Sequence, residues 1–306
     1  MCRVYDVAVV GDLNVDVILS GVPDLPTAGT SAIAADYAFA LGGSAANAAC
    51  GAARLGLVTC IVGKVGDDYF GRYTMAAAQN AGVDTKWVVI SPTDRTGLTV
   101  SISGNDRCFL SYRGAVETLS EADITREPLR QARLVHAGGY HASRALRPSL
   151  PAILADVRKH GALVSVDVDW DPDHKWADLQ HALPYVDILF VNSSELRQLT
   201  GHITPERGLE ALAASVPLVV AKLGPAGAMA LDDTGRLYSS PPLEAHILDT
   251  TGAGDSFTAA FLYAHLHGMG VDNALLYGNA AGALAVGMLG LGSNAPTLAQ
   301  VEALLR

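Results

Sequence analysis

The run Asp249-Thr-Thr-Gly-Ala-Gly-Asp255-Ser-Phe carries the strongest chemical signal in the sequence. Gly252, Ala253 and Gly254 immediately precede a helical pattern of Phe257, Phe261, Leu262 and Leu266 that Gly268 closes, so their backbone N–H groups are expected at a helix N-terminus. Unpaired donors and the positive end of the helix dipole coincide there, which makes such a terminus a site for phosphate. Asp255 would stand beside the bound phosphoryl group, where a carboxylate can serve as general base for an attacking hydroxyl. The plainer alternative has Asp255 capping its helix and the glycines only turning the chain.

Gly42-Gly43-Ser-Ala-Ala-Asn47 forms a second constellation with Asn14 and Asp16. Asn14 and Asp16 point to the same side of an extended segment, Asn47 lies one helical turn beyond Gly43, and bare backbone at Gly42-Gly43 admits a close ligand. Amides and a carboxylate of this kind suit the hydroxyls of a polyol. A simple turn followed by a helix start would read the same. In Asn192-Ser-Ser-Glu195, Asn192 would cap a helix while Glu195 holds a Mg2+ that keeps most of its waters; Asn-x-x-Glu is equally an ordinary helix start. Lys222-Leu-Gly224-Pro-Ala-Gly227 is a glycine loop with one positive charge to offer a nucleotide. It weighs more because the lysines number only five, at 64, 86, 159, 175 and 222. Neither GxGxxG nor GxxxxGK followed by Ser or Thr occurs, so dinucleotide binding and Walker-type phosphate binding lose their main support. The histidines, including His136, His141, His265 and His267, show no metal-ligand spacing, and Cys2, Cys50, Cys60 and Cys108 make neither a zinc motif nor a disulfide framework.

Positioning these residues falls to 306 residues, of which 50% are hydrophobic and 17% charged, against about 25% charged in an average soluble protein. With a mean hydropathy of +0.26, that composition excludes disorder and predicts a sizeable core. The 31 acidic against 21 basic residues leave a formal charge of -10, which argues against a non-specific binder of nucleic acid or anionic membrane but allows a small polyanionic ligand. The longest apolar stretch, 280–292, is far too short for a membrane helix, and the N-terminus lacks a signal-peptide pattern, so a cytoplasmic chain with reduced thiols is expected.

Strands are expected at 4–10, 58–62, 87–90, 134–137, 163–168, 188–191 and 218–222, and helices at 43–55, 69–81, 149–160, 176–183, 194–199, 205–215, 254–267 and 272–288. Residues 228–231 and 236–239 read as a hairpin, and 97–103 with 108–112 as another around Gly104-Asn105. Repeated β-α units with apolar strands predict an α/β fold: a three-layer α/β/α core with a mostly parallel central sheet. Residues 12–40 and 95–115 break that rhythm and read as a small discontinuous β lid, leaving 1–11, 41–94 and 116–306 as the core.

Gly42-Gly43-Ser-Ala-Ala-Asn47-Ala-Ala-Cys-Gly-Ala-Ala-Arg54-Leu-Gly56 and the run from Asp249 to Phe257 together resemble the two signatures of the ribokinase-like (PfkB-type) carbohydrate kinases. The resemblance also takes in Gly11-Asp12-Leu-Asn14-Val-Asp16, Val62-Gly-Lys-Val-Gly66-Asp67-Asp68, Asn192, Glu195, the loop 222–227 and Asn279, in the family's order. It implies the ribokinase-like core with its β-sheet lid, and transfer of the γ-phosphoryl of ATP, with Mg2+, to a hydroxymethyl group of a small ribose- or fructose-like sugar. A nucleoside of the adenosine type is the alternative acceptor, and a non-catalytic sugar-binding regulator is the alternative from another class. Residue by residue, the resemblance implies Asp255 as the base and Gly252, Ala253 and Gly254 as the anion hole. Asn14, Asp16, Gly42, Gly43 and Asn47 would hold substrate hydroxyls. Asn192 and Glu195 would order phosphates and water-bound Mg2+, while Lys222, Gly224, Gly227 and Asn279 would border the nucleotide. Lys222 stands where many relatives carry Thr. A monovalent cation such as K+ would lie between the loop at Asp249 and Thr251 and the turn around Ala285, Met288, Gly290 and Asn294. Lids of this type often pair edge to edge, so a homodimer through the lid is expected, with no nucleic-acid or membrane partner. Residues 136–140 and 167–172 would lie near the substrate cleft, where Tyr140 or Trp170 would either stack on a nucleobase or pack in the core.

Overall fold

The computed structural model describes residues 3–104, 107–171 and 176–306. Asn105 in the expected hairpin turn, Cys2, Pro172 and Lys175 lie outside the described residues. The first half of the chain runs β1 (Tyr5–Val10), β2 (Asn14–Val22), β3 (Asp36–Gly42), α1 (Ser44–Arg54), β4 (Thr59–Gly66), α2 (Tyr69–Asn80), β5 (Asp84–Ser91), β6 (Gly97–Gly104), β7 (Arg107–Tyr112), α3 (Arg126–Arg130) and β8 (Ala132–Ala137). The second continues α4 (Leu150–Lys159), β9 (Leu163–Asp167), β10 (Ile188–Asn192), α5 (Ser193–Thr200), α6 (Pro205–Ala213), β11 (Leu218–Lys222), β12 (Ala228–Asp232), β13 (Leu237–Ser240), α7 (Ala253–Leu266), α8 (Val271–Ala285) and α9 (Leu298–Leu304).

Nine strands make one sheet in the order β13-β12-β11-β10-β9-β8-β1-β4-β5, parallel from β5 to β11 with an antiparallel β12–β13 edge. The apolar strand sequences follow from burial on both faces, since successive side chains of a strand point opposite ways. Val7, Val9, Ile188, Phe190, Leu218 and Val220 enter the core shared with α1, α7 and α8. Ala8, Val10, Leu189, Val191 and Val219 enter the opposite core, covered by α4, α5 and α6. Three layers result, as the β-α alternation predicts.

A smaller four-stranded sheet, β3-β2-β6-β7, is built from the segments that break the alternation. β3 runs on to Gly42, two residues past the expected boundary at 40/41, and delivers Gly43 directly to the start of α1. Because the central strands are parallel, their carboxyl ends share one edge. Gly11 follows β1, while Asp167, Asn192 and Lys222 close β9, β10 and β11, with Asn192 in register with Lys222.

Three elements differ from expectation. The helix expected at 176–183 is two short 3-10 segments, Trp176–His181 and Leu183–Tyr185; Pro184 has no N–H with which to continue an α-helix. α3 and α9 were not anticipated. α9 is announced by Thr297 and Gln300, which form a capping box ahead of the buried Val301. Among the described residues no helix is long and apolar enough to cross a membrane.

Phe261 locks α7 to the sheet: it is fully buried, edge-on to Phe190 at 5.2 Å and stacked on Phe257 at 6.2 Å. Phe261→Ala should therefore cost about 3–5 kcal/mol. Guanidinium denaturation checks this, and a loss below about 1 kcal/mol would contradict the packing described.

Candidate active site

A cleft of about 1550 Å³ opens beyond the carboxyl edge of the main sheet, between the smaller sheet, the start of α7 and the second half of α8. A single small-molecule pocket holds about 300–1,000 Å³, so this one is large enough for two ligands side by side. Asn14, Asp16, Gly43 and Asn47 line it together with Thr99 and Ser101 of the smaller sheet. Asn192, Glu195, Lys222, Gly224, Gly227 and Asn279 line it from the main sheet and α8, and Thr251, Gly252, Ala253, Gly254 and Asp255 from the start of α7. Gly42 and Asp249 sit behind this lining. The fold thus gathers residues spread over most of the chain at one edge.

Gly252 adopts a left-handed conformation (φ 74°) as the residue before α7, and the helix opens with Ala253, Gly254 and Asp255 facing the cleft. The first N–H groups of a helix have no acceptor within it and can serve a ligand; Ala253 N here already reaches Thr250 O at 3.4 Å. Asp255 is half-buried and accepts a hydrogen bond from Ser44 Oγ at 2.9 Å. Burial, and then the negative charge of Asp167, hold its carboxyl well above the usual carboxylate range, against the pull of Lys222 and Ser44. A carboxylate so placed binds a proton more strongly than an exposed aspartate.

The start of α1 is a second helix N-terminus in the cleft, but the protein has already filled it. Asp12 accepts from Ser44 N at 3.1 Å and Ala45 N at 2.9 Å, so its carboxylate takes the place an anion would occupy. Burial nonetheless holds the Asp12 carboxyl above its ordinary range, against those two bonds. Of the two termini, the start of α7 carries no such internal carboxylate cap.

Lys222 ends β11 with its ammonium on Asp167 of β9. Asp167 also accepts from Thr258 Oγ1 of α7 at 3.0 Å. Burial disfavours the charge on Lys222, yet Asp167, Glu195 and Asp255 together hold its ammonium above the usual value. Glu195 accepts from Asn192 N at 2.8 Å and Asn192 Nδ2 at 2.6 Å, and Asn192 Oδ1 accepts from Ser194 N and Glu195 N in return. Asn192 is therefore both the helix cap and a residue of the cleft lining. Burial and Asp167 push the Glu195 carboxyl up to about 8. This excess of carboxylate over cation suits a divalent ion. Among the described residues no three His, Cys, Asp or Glu side chains group to ligate a metal directly, so a Mg2+ beside Glu195 would keep most of its waters.

Other expected residues take less direct places. Asn279 Nδ2 is committed to Ser240 O, Ser240 Oγ and Pro241 O, clasping the loop after β13 where it borders the cleft. Asp249 Oδ1 accepts from Thr251 N at 3.0 Å and Thr251 Oγ1 at 2.8 Å, shaping the turn into α7. That turn docks on the end of α8 through Leu248 N and Asp249 N to Val286 O, next to Ala285 in the expected cation-binding turn. Asn47 Oδ1 accepts from Gly292 N at 3.3 Å, tying α1 to the loop ahead of α9. At Gly42 a Cβ would lie 2.1 Å from Asp16 Oδ1, so glycine is what lets β3 pass that carboxylate. Of the two aromatics, Tyr140 is buried in the core and Trp170, 44% exposed, lines the cleft.

Sequence reasoning gave no site role to Asp12, Ser44 or Thr258, and placed Asp169 only within a segment near the substrate cleft. Asp169 has a left-handed φ of 60°, its Oδ1 accepts from Trp170 N at 2.7 Å, and burial with Asp12 nearby pushes its carboxyl up to about 6. Two signals were readable: Asp12 and Asp169 each follow a predicted strand at its carboxyl end, and Thr258 lies one helical turn after Asp255.

Residues 5–298 match the pfkB family carbohydrate kinase profile. The 5-dehydro-2-deoxygluconokinase of Geobacillus thermodenitrificans is 30% identical over 285 residues, covering 86% of this chain and 83% of that protein. That of Bacillus subtilis is 29% identical over 283 residues, covering 87% of this chain and 86% of its own. Among solved structures, Arabidopsis thaliana ribokinase complexed with ribose and ATP superposes over 100% of this chain and 99% of its own with a TM-score of 0.83 at 28% identity. A putative ribokinase II from E. coli in complex with ATP and Mg2+ has the same fold, with a TM-score of 0.88 over 100% of this chain and 99% of its own at 24% identity. With the family profile matched from the first strand to the last helix, the chain belongs to the pfkB family of carbohydrate kinases, which phosphorylate an alcohol acceptor.

Proposed function

We propose that the cleft transfers the γ-phosphoryl group of ATP to a hydroxymethyl group of a small sugar, ribose- or fructose-like in size. The observation that carries this reading is Asp255 in the open first turn of α7, steered by Ser44 and raised in basicity by its surroundings. Asp255 takes the proton of the sugar hydroxyl as that oxygen attacks phosphorus and ADP departs. The amides of Gly252, Ala253 and Gly254 take up negative charge on the moving phosphoryl group. Asn14, Asp16, Gly43 and Asn47 hold the sugar's other hydroxyls. Asn14 Oδ1, Ser101 Oγ and His141 Nε2, all from residues lining the cleft, are buried with no hydrogen-bond partner of their own, which supports a polyhydroxylated ligand. Glu195 and Asn192 order the phosphates on the nucleotide side, with Lys222, Gly224, Gly227 and Asn279 along its border. Bound Mg2+ supplies neutralising charge for the phosphates, and Asp249 and Thr251 are the candidates for a K+ behind the anion hole.

The smaller sheet, segments 12–40 and 95–115, serves in this reading as the lid over the sugar, with 1–11, 41–94 and 116–306 as the core. Tyr37, Phe39 and Leu110 on that sheet are 65%, 50% and 61% exposed, which favours a homodimer made through it; a sizing column tests that arrangement. The curated relatives named above are kinases of a keto-deoxy sugar acid, so such acids belong among the substrates tried. Nucleosides belong there too, because Trp170 lines the cleft with room to stack on a base.

An ADP-release screen over pentoses, hexoses, keto-deoxy sugar acids and nucleosides tests the assignment. Wild type is expected to turn over at least one sugar, and Asp255→Asn to lose about 10²- to 10⁴-fold in kcat; no turnover with any acceptor, or an undiminished variant, overturns it. Because Asp255 acts only when ionised and its carboxyl is held well above the ordinary range, kcat/KM should fall on the acid side with a limb well above pH 4. A pH–rate profile flat down to pH 4 would remove Asp255 as the base. Gly42→Ala drives a methyl into Asp16, so the sugar KM should rise by about tenfold, the scale of one hydrogen bond to a charged group, with a smaller change in kcat. Steady-state kinetics decide between that result and a uniform loss.

A further inference from the structure

The ammonium of Lys222 sits against the first turn of α7: a Cβ built on Gly254 would lie 3.3 Å from Lys222 Nζ. The side chain is 14% exposed and lines the cleft, so it is neither a surface charge nor sealed away. Its place is braced from the far side. Asp167 grips Nζ, and Thr258, wholly buried one turn beyond Asp255, donates Oγ1–H to the same Asp167 oxygen at 3.0 Å. One helix therefore carries the amides, the base and, through Thr258 and Asp167, the brace for the ammonium. A lysine stem has four flexible carbons, and bracing it in advance removes ordering that a ligand would otherwise have to impose.

The base must lie within hydrogen-bond reach of the acceptor hydroxyl. An ammonium from β11 set against the same turn of α7 then faces the phosphoryl group next to that hydroxyl, which is the γ group and not the α or β. Building on the kinase reading above, we propose that Lys222 is a catalytic residue that contacts the transferring γ-phosphoryl group, and that Asp167 and Thr258 are positioning residues that hold its ammonium there. Lys222 keeps its proton throughout. The sugar oxygen bonds to the γ phosphorus, the bond from that phosphorus to the bridging oxygen of ADP breaks, and the hydroxyl proton goes to Asp255. Charge on the equatorial oxygens of the moving group is what the ammonium meets.

The test compares calorimetric binding of ADP and of the β,γ-imido analogue of ATP, each with Mg2+, to the full chain, alongside steady-state kinetics. Lys222→Met should bind ADP within about twofold of wild type, bind the imido analogue at least about tenfold more weakly, and lose about 10²-fold in kcat with the sugar KM unchanged. Thr258→Val, which leaves no charge unpaired, should lower kcat by about 3- to 10-fold, and Thr258→Ser should restore it. A structural role alone would not separate ADP from the imido analogue. Equal loss of both ligands in Lys222→Met, or a Thr258→Val kcat equal to that of wild type, overturns the proposal and leaves the kinase reading standing. A wild-type protein that binds neither nucleotide overturns the kinase reading itself.

Discussion

The structure depends on a concentration of like charge at the carboxyl edge of its main sheet. The carboxyls of Asp12, Asp167, Asp169, Glu195 and Asp255 all belong to residues lining one cleft, and Lys222 is the only lysine among the described residues that lines it with them. Like charges at short range in a partly dry cleft cannot all ionise freely, so burial and mutual repulsion raise several of these carboxyls above their ordinary values. Lys222 shows the converse, its charge held by the same neighbours against the cost of burial. On the proposed kinase reading, an edge in this electrostatic state favours added cations and proton uptake at one selected carboxyl, the two requirements of phosphoryl transfer to an alcohol.

That selection comes from backbone as much as from side chains. Two helices, α1 and α7, start in the cleft, and each start is a natural anion site. In α1 the site is occupied from within by Asp12, which turns the terminus into a fixed wall and places Ser44 where its hydroxyl reaches Asp255. In α7 the terminus follows a left-handed Gly252 and opens to the cleft. An internal carboxylate at one terminus and none at the other is what the proposed function uses to tell scaffold from reactive site. The acidic total of the chain, -10, is no obstacle to a polyanionic ligand once binding is local to backbone amides, one lysine and bound cations.

Several features were legible before the fold was known because each rests on a local rule. Apolar strands between helical patterns predict a parallel sheet, since such strands are buried on both faces, and Phe190 and Val191 show both faces in use. Asn192 with Glu195, and Asp255 after its glycines, are helix starts that spacing alone identifies. The 3-10 turns around Pro184 and the short α3 escaped because single turns carry too little periodicity to detect.

What the sequence by itself determined is therefore the set of elements and the helix termini that could meet phosphate, because both depend on residues within one turn or one strand of each other. Only the tertiary structure decided which terminus stays open, that Asn279 spends its amide on the loop at Ser240, and that Thr258, Asp167 and Lys222 form one braced unit. Those outcomes join residues from 32 positions apart, as in Asp12 with Ser44, to 91, as in Thr258 with Asp167, and arise where chain segments meet at one sheet edge. A contact of that kind has no local pattern to announce it, because its partners become neighbours only when burial of the strands between them brings their ends together.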